Sequence, residues 1–212
     1  ILDLNKTIVH LDQACAALKQ IAKSGKKILF VATKKQAKDI LEARIKPTRM
    51  PYVVERWSGG MLTNFGTIRK AIRKMSSIDK MEEDGTMNTL SKRERLQLSR
   101  TRAKLDKNYG TIADMTRVPA AVFVIDVLKE HIAVKEANKL NIPTFAMVDT
   151  NSDPRNIDFI IPSNDDATKS IDIILSKVAD AIMEGLEERK STKDKAKTSK
   201  EATTEVEAEE EL

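Results

Sequence analysis

The stretch AAVFVIDVLKEHIAVKEANKLNIPTFAMVD (residues 120–149) decides the fold. AAVFVIDV (120–127) and TFAMVD (144–149) are continuous apolar runs of strand length, the composition of strands covered on both faces. Residues 129–140 between them read as a helix with Ile132, Ala133, Ala137 and Leu140 facing inward. A buried strand, a helix and another buried strand in succession predict parallel pairing, because parallel neighbours need a crossover of helix length.

Working outward, the same alternation continues. ILFVA (28–32) is another buried strand, Tyr52-Val53-Val54 a short one, and Ile157 to Ile161 a fifth. Before the first strand, residues 7–24 place Leu11, Ala14, Leu18 and Ile21 on one helical face, ending near Gly25. Thr33 is positioned to cap a helix over 34–45. Asn164 is positioned to cap the last long helix, expected to end near Gly185, with Asp165 and Asp166 at the positive end of its dipole. The fold class is therefore α/β, a doubly wound parallel sheet with helices on both faces.

One segment breaks the alternation. From Thr67 to Lys80, Ile68, Ile72, Met75 and Ile78 recur at helical spacing, and after Glu82-Glu83-Asp84-Gly85-Thr86 come Leu98, Leu105 and Ile112, seven apart. Two such helices joined by a short turn read as an antiparallel coiled-coil hairpin with Lys and Arg on its outer faces. The expected organisation is a sheet domain over 1–65 and 114–185, a coiled-coil hairpin inserted at 66–113, and a tail over 186–212. The tail, KSTKDKAKTSK followed by EATTEVEAEEEL, has too few apolar residues for a core and reads as disordered and solubilising.

The net charge of +5 conceals a strong asymmetry. Residues 1–110 carry 24 Lys/Arg against 11 Asp/Glu, net +13, and the remainder 13 against 21, net −8. That points to one face or appendage meeting a polyanion. Aromatic residues make up only 4% of the chain, which disfavours a base-stacking platform and favours phosphate contact. No apolar run approaches the roughly 20 residues that span a bilayer, and no signal segment opens the chain, so it reads as cytoplasmic, with no membrane partner. Ile1 lies inside an apolar stretch, as if the sequence starts partway into a domain. The single cysteine, Cys15, excludes an internal disulfide and reads as a small buried helix residue; His10 and His131 lack ligand-like spacing.

Doubly wound sheets place ligands at the carboxyl ends of their strands, here Thr33, Asp126, Asp149, Asn151 and Asp153. ATKKQAKD (32–39) contains no glycine, so phosphate-loop and dinucleotide fingerprints are both absent. Asp126 and Asp149 are the positions an ion or a catalytic site would use, and helix or turn capping is the preferred reading. The expectation is a non-enzyme without cofactor, metal or small-molecule substrate. A flavodoxin-like small-molecule-binding or catalytic domain built on these two carboxylates is the alternative. RWSGGMLTNF (56–65) offers a different chemistry. Gly59-Gly60 permits close backbone approach, and Arg56, Trp57, Thr63 and Asn64 flank it with groups suited to phosphate and sugar. A plain strand-to-helix connection, with Trp57 packed and Thr63 or Asn64 capping, is compatible with the same residues. Lys34, Lys35 and Lys38, and Arg69, Lys70, Arg73 and Lys74, add two basic clusters.

LFVATKKQA (29–37), RWSGGMLTNF (56–65), MEEDGT (81–86), KEHIAVKEANKLNIPTFAMVDTNSDP (129–154) and IPSNDDATKSI (161–171) together resemble the bacterial small-subunit ribosomal protein S-two family, in order from residue 1 to about Gly185. The resemblance implies a five-stranded flavodoxin-like sheet with a protruding coiled-coil hairpin. It also implies binding to small-subunit ribosomal RNA between head and body, and help in recruiting the largest small-subunit protein, which captures messenger RNA. Three residues depart from the pattern: Ser58 where Leu is usual, Ser152 where Cys is common, and Ser163 where Gly is common, a change that bears on any left-handed turn there. The family's N-terminal segment with its Gly-x-His-Phe-Gly-His-like motif is not in this sequence.

Overall fold

In the computed structural model, residues 2–210 are described, with side chains as far as Thr192. Five strands, β1 (Ile28–Val31), β2 (Tyr52–Val53), β3 (Ala121–Ile125), β4 (Thr144–Val148) and β5 (Phe159–Pro162), form one parallel sheet in the order β2-β1-β3-β4-β5. Among the described residues, six α-helices accompany it: α1 (Leu4–Lys23), α2 (Lys35–Ile45), α3 (Phe65–Glu83), α4 (Lys92–Tyr109), α5 (His131–Lys139) and α6 (Thr168–Glu210). The strand order reverses between β1 and β3, the topological switch of a flavodoxin-like sheet.

The unbroken apolar runs follow from two cores, one on each face. Ile28, Phe30, Phe123, Phe145 and Met147 point to the face covered by α1, α2 and α6. Leu29, Val31, Val122, Val124 and Ala146 point to the opposite face, against α5 and the beginning of α3. Successive residues thus alternate between two apolar environments, so strand composition stays apolar throughout. Cys15 packs at the edge of the first core, and burial pushes its thiol up to about 11. Among the described residues, no helix is long and apolar enough to cross a membrane.

Several local expectations are corrected. Thr33 does not cap α2; Lys34 occupies that position without a side-chain cap, and Thr33 is bonded elsewhere. The inward face of α5 holds Ala133, Val134, Glu136 and Ala137, while Ile132 and Leu140 are exposed. Asn164 accepts from the N–H groups of Asp166 and Ala167 and so caps the turn leading into α6. Ser163 is not among the non-glycine residues with positive φ, so no left-handed turn is needed there. Gly185 does not end α6. It is where α1 crosses, and a Cβ at that position would lie 2.5 Å from the Lys19 carbonyl oxygen. Residues 186–192, expected to open a disordered tail, continue α6, and Glu188 pairs with Lys19 and Lys23 at 2.9 Å each. The rest of the expected tail lies outside the residues described with side chains.

α3 and α4 run antiparallel: Arg102 in α4 pairs with Asp79 in α3 at 2.9 Å, and Tyr109 returns to Ser58 at 3.0 Å. Ile68, Ile72, Met75 and Ile78 form the inner face of α3 as expected. In α4, Leu98 and Leu105 are only half-buried, and Ile112 falls in the following 3-10 turn, fully buried in the sheet core. α4 starts with Ser91 and Glu94 reciprocally bonded in a capping box, which fixes where the turn ends and the return helix begins.

Candidate nucleic-acid interface

The glycine-containing loop between β2 and α3 is built around one buried carboxylate. Glu136 Oε1 accepts from the Trp57 indole N–H at 3.1 Å and the Gly60 N–H at 2.7 Å. Its Oε2 accepts from the N–H groups of Leu62 and Thr63 at 2.9 and 3.1 Å, and from the Thr63 hydroxyl at 3.1 Å. Burial by itself would raise this carboxyl, but those donors hold it below the ordinary range. Gly60 has φ +83, and a Cβ there would meet the Asn64 Cβ at 3.1 Å; Gly59 has open space around it. The loop is thus a nest of N–H donors of the kind that binds phosphate, already filled by the protein's own carboxylate.

This placement divides the residues the sequence singled out. Trp57, Gly60 and Thr63 spend their donors on Glu136. Arg56, Gly59 and Asn64 stay on the surface, Asn64 accepting from the Thr67 hydroxyl at 2.9 Å. Glu136 was missed, although a signal existed: an acid in register with Ala133 and Ala137 on the apolar stripe of a short helix.

The cluster Lys34, Lys35, Lys38 is also split. Lys34 points inward to Asp126, Asp165 and Asp166 at 3.2, 2.7 and 2.6 Å. Burial opposes its charge, but the three carboxylates outweigh burial and keep it protonated. Lys38 faces Glu55 at 3.5 Å, which also holds Lys107 at 3.3 Å. Only Lys35 is exposed and without an ion-pair partner among the described residues.

On α3 the picture is different. Arg69 donates to the Thr116 carbonyl at 3.1 Å, and Lys70, Arg73 and Lys74 are exposed without acidic partners among the described residues. On α4, Lys92, Arg93, Arg95, Arg100 and Lys104 add five further cations with no ion pair among those residues, while Arg102 is held by Asp79 and Asp106. These α4 residues belong to the candidate surface, although none stood out singly in the sequence. A surface of this kind attracts a polyanion through phosphate contacts and the release of condensed counterions.

The carboxyl ends of the strands, where an enzyme of this fold would hold its ligand, are acidic and internally bonded. Asp126 takes the Lys129 N–H at 3.0 Å from a backbone at φ +68. Glu130 accepts from the Thr33 N–H at 2.8 Å and from its hydroxyl; burial raises the Glu130 carboxyl and the Thr33 bonds oppose that. Asp153 is engaged with Arg155 at 2.7 Å. Asp126, expected to share an ion site with Asp149 if either had one, is committed to Lys34 and Lys129. The group whose oxygens could converge on a cation is Asp149, Asp165 and Asp166, each offering an atom within 4.8 Å of the others. Asp165 is fully buried, its Oδ2 has no hydrogen-bond partner, and burial raises its carboxyl. Lys34 already places a positive charge against two of the three.

The family model described as ribosomal protein S2 matches residues 1–185. A small ribosomal subunit protein uS2 from Phocaeicola vulgatus is 66% identical over 193 residues, covering 91% of this chain and 69% of its own length. The uS2 of Flavobacterium johnsoniae is 66% identical over 194 residues, covering 92% and 76%. That of Parabacteroides distasonis is 60% identical over 202 residues, covering 95% and 73%.

Proposed function

The chain belongs to the ribosomal protein S2 family, and from that premise we propose that it binds small-subunit ribosomal RNA through the basic surface of α3 and α4. It is a structural protein of the small ribosomal subunit and not an enzyme. In this reading it acts in the cytoplasm, sits between the head and body of the subunit, and helps recruit the largest small-subunit protein. Residues 66–113 act as a coiled-coil appendage of the sheet domain formed by 1–65 and 114–185.

The observation that carries the reading is the set of exposed cations on α3, Lys70, Arg73 and Lys74, without acidic partners among the described residues. Lys35, Arg56, Gly59 and Asn64 are the remaining surface candidates, whereas Lys34 and Trp57 support RNA binding only through the scaffold. Lys34 fills the switch point with an internal ion-pair cluster, which disfavours a nucleotide at that position. The test is sedimentation of the tagged chain from a bacterial lysate with and without ribonuclease. Co-migration with small subunits that is lost after ribonuclease is expected; migration as a free protein in both samples refutes the reading.

A further inference from the structure

A second group of cations lies at the opposite end of the sheet from the acidic cluster. Lys26 and Lys27 precede β1, Arg49 precedes β2 and Arg117 precedes β3. These three strands are parallel neighbours, so their amino ends lie side by side at roughly 4.8 Å per step. Hydrogen bonds fasten the segments together. Ala120 donates its N–H to the Lys27 carbonyl at 2.9 Å, and the Lys27 ammonium donates to the Arg49 carbonyl at 2.7 Å. Arg189 of α6 lies over the Gly25 turn: at φ +76, a Cβ on Gly25 would sit 2.1 Å from the guanidinium carbon.

Two grooves flank the Gly25–Lys27 turn. One, of about 420 Å³, runs between Lys27, Arg49 and Arg189; the other, of about 540 Å³, lies between Lys26 and Arg117. Asp114 is the one acidic residue lining either groove among the described residues. Lys26, Arg49 and Arg117 are exposed and have no ion-pair partner among those residues. The edge is joined to α3, because Arg69 bonds the Thr116 carbonyl directly before Arg117.

The geometry points to the amino-terminal edge of β2, β1 and β3 as a second contact for the RNA backbone, continuous with the basic face of α3. This rests on the RNA-binding reading above and extends it from the helical hairpin to the sheet. RNA fits better than an acidic protein segment because the cations come from four separate chain segments spread along two open grooves, as spaced phosphates require, and run on into the basic face of α3. Val118 is the one exposed large apolar side chain lining either groove among the described residues.

The test measures binding of the full chain to a bacterial small-subunit ribosomal RNA transcript across a potassium chloride series. Three triple variants are compared: Lys26→Gln/Arg49→Gln/Arg117→Gln at the edge, Lys70→Gln/Arg73→Gln/Lys74→Gln on α3, and Lys135→Gln/Lys139→Gln/Lys169→Gln as an equal-charge control. The edge variant is expected to flatten the slope of log affinity against log salt by about two to three. The control should leave it unchanged, and all three variants should keep the thermal melt of the parent. Arg117→Gln alone should remove about one from the slope, which covers the case of a triple variant that folds poorly. An edge slope equal to the control's, with the α3 variant flattened, overturns this inference and leaves the RNA reading standing. If neither edge nor α3 matters, both fall. An edge variant that binds RNA normally but no longer enters small subunits identifies an acidic protein partner and also overturns it.

Discussion

Replacing Glu136 separates a loop held by one internal anion from a loop held by its own backbone. In Glu136→Ala the Trp57 indole and the Leu62 N–H are left in buried surroundings without an acceptor. Each stranded donor costs about 1–3 kcal/mol, whereas the half-buried Gly60 and Thr63 groups can turn to water at smaller cost. The expected loss is about 3–5 kcal/mol, large for a single substitution on a short helix. Glu136→Gln keeps one acceptor oxygen but turns an amide NH₂ toward donors, so about 2 kcal/mol is expected. Urea unfolding at pH 7 reads both values. The sign of the pH effect follows from the depressed carboxyl. Its contribution is fully present above the unfolded value of about 4.3 and is lost as pH falls through the lower folded value. The gap between the parent and Glu136→Gln should therefore be widest at neutral pH and close in acid. A Gln variant within about 0.5 kcal/mol of the parent at pH 7, with a gap independent of pH, would refute the reasoning.

The other predictions use the same kind of contrast. Gly60→Ala should cost about 1–2 kcal/mol because of its positive φ and the 3.1 Å approach to Asn64, while Gly59→Ala, with nothing nearby, should be neutral in the same denaturation assay. Lys34→Ala strands Asp126 and Asp165 and should cost about 3–5 kcal/mol at pH 7. That loss should shrink as pH falls and the raised Asp165 carboxyl protonates; a loss independent of pH would argue against the ion cluster. Gly185→Ala drives a methyl into the Lys19 carbonyl and should cost about 1–3 kcal/mol, measurable as a lowered thermal midpoint. An unchanged midpoint would mean that α1 and α6 separate freely at their crossing.

The sheet, its five strands and the helices between them were legible because each strand is an apolar run bounded by polar turns, and each helix repeats its apolar positions at three and four. The same periodicity found the inner face of α3. It failed for α4, where Ile112 leaves the helix to join the sheet core, because a heptad carries no mark of where a helix stops. Charge asymmetry was legible as well, since it needs only counting. What folding alone decided is which polar groups remain available. Lys34 and Lys35 are adjacent in sequence and equivalent in composition, yet β3 and the turn before α6 bring Asp126 and Asp165 to one of them and leave the other in water. Gly60 and Thr63 were read as facing RNA, but Glu136, more than seventy positions away, accepts their donors first. Composition and spacing are local and survive in the sequence. Whether a donor or a cation is spent inside the molecule depends on partners brought together from distant segments, and only the tertiary structure brings them together.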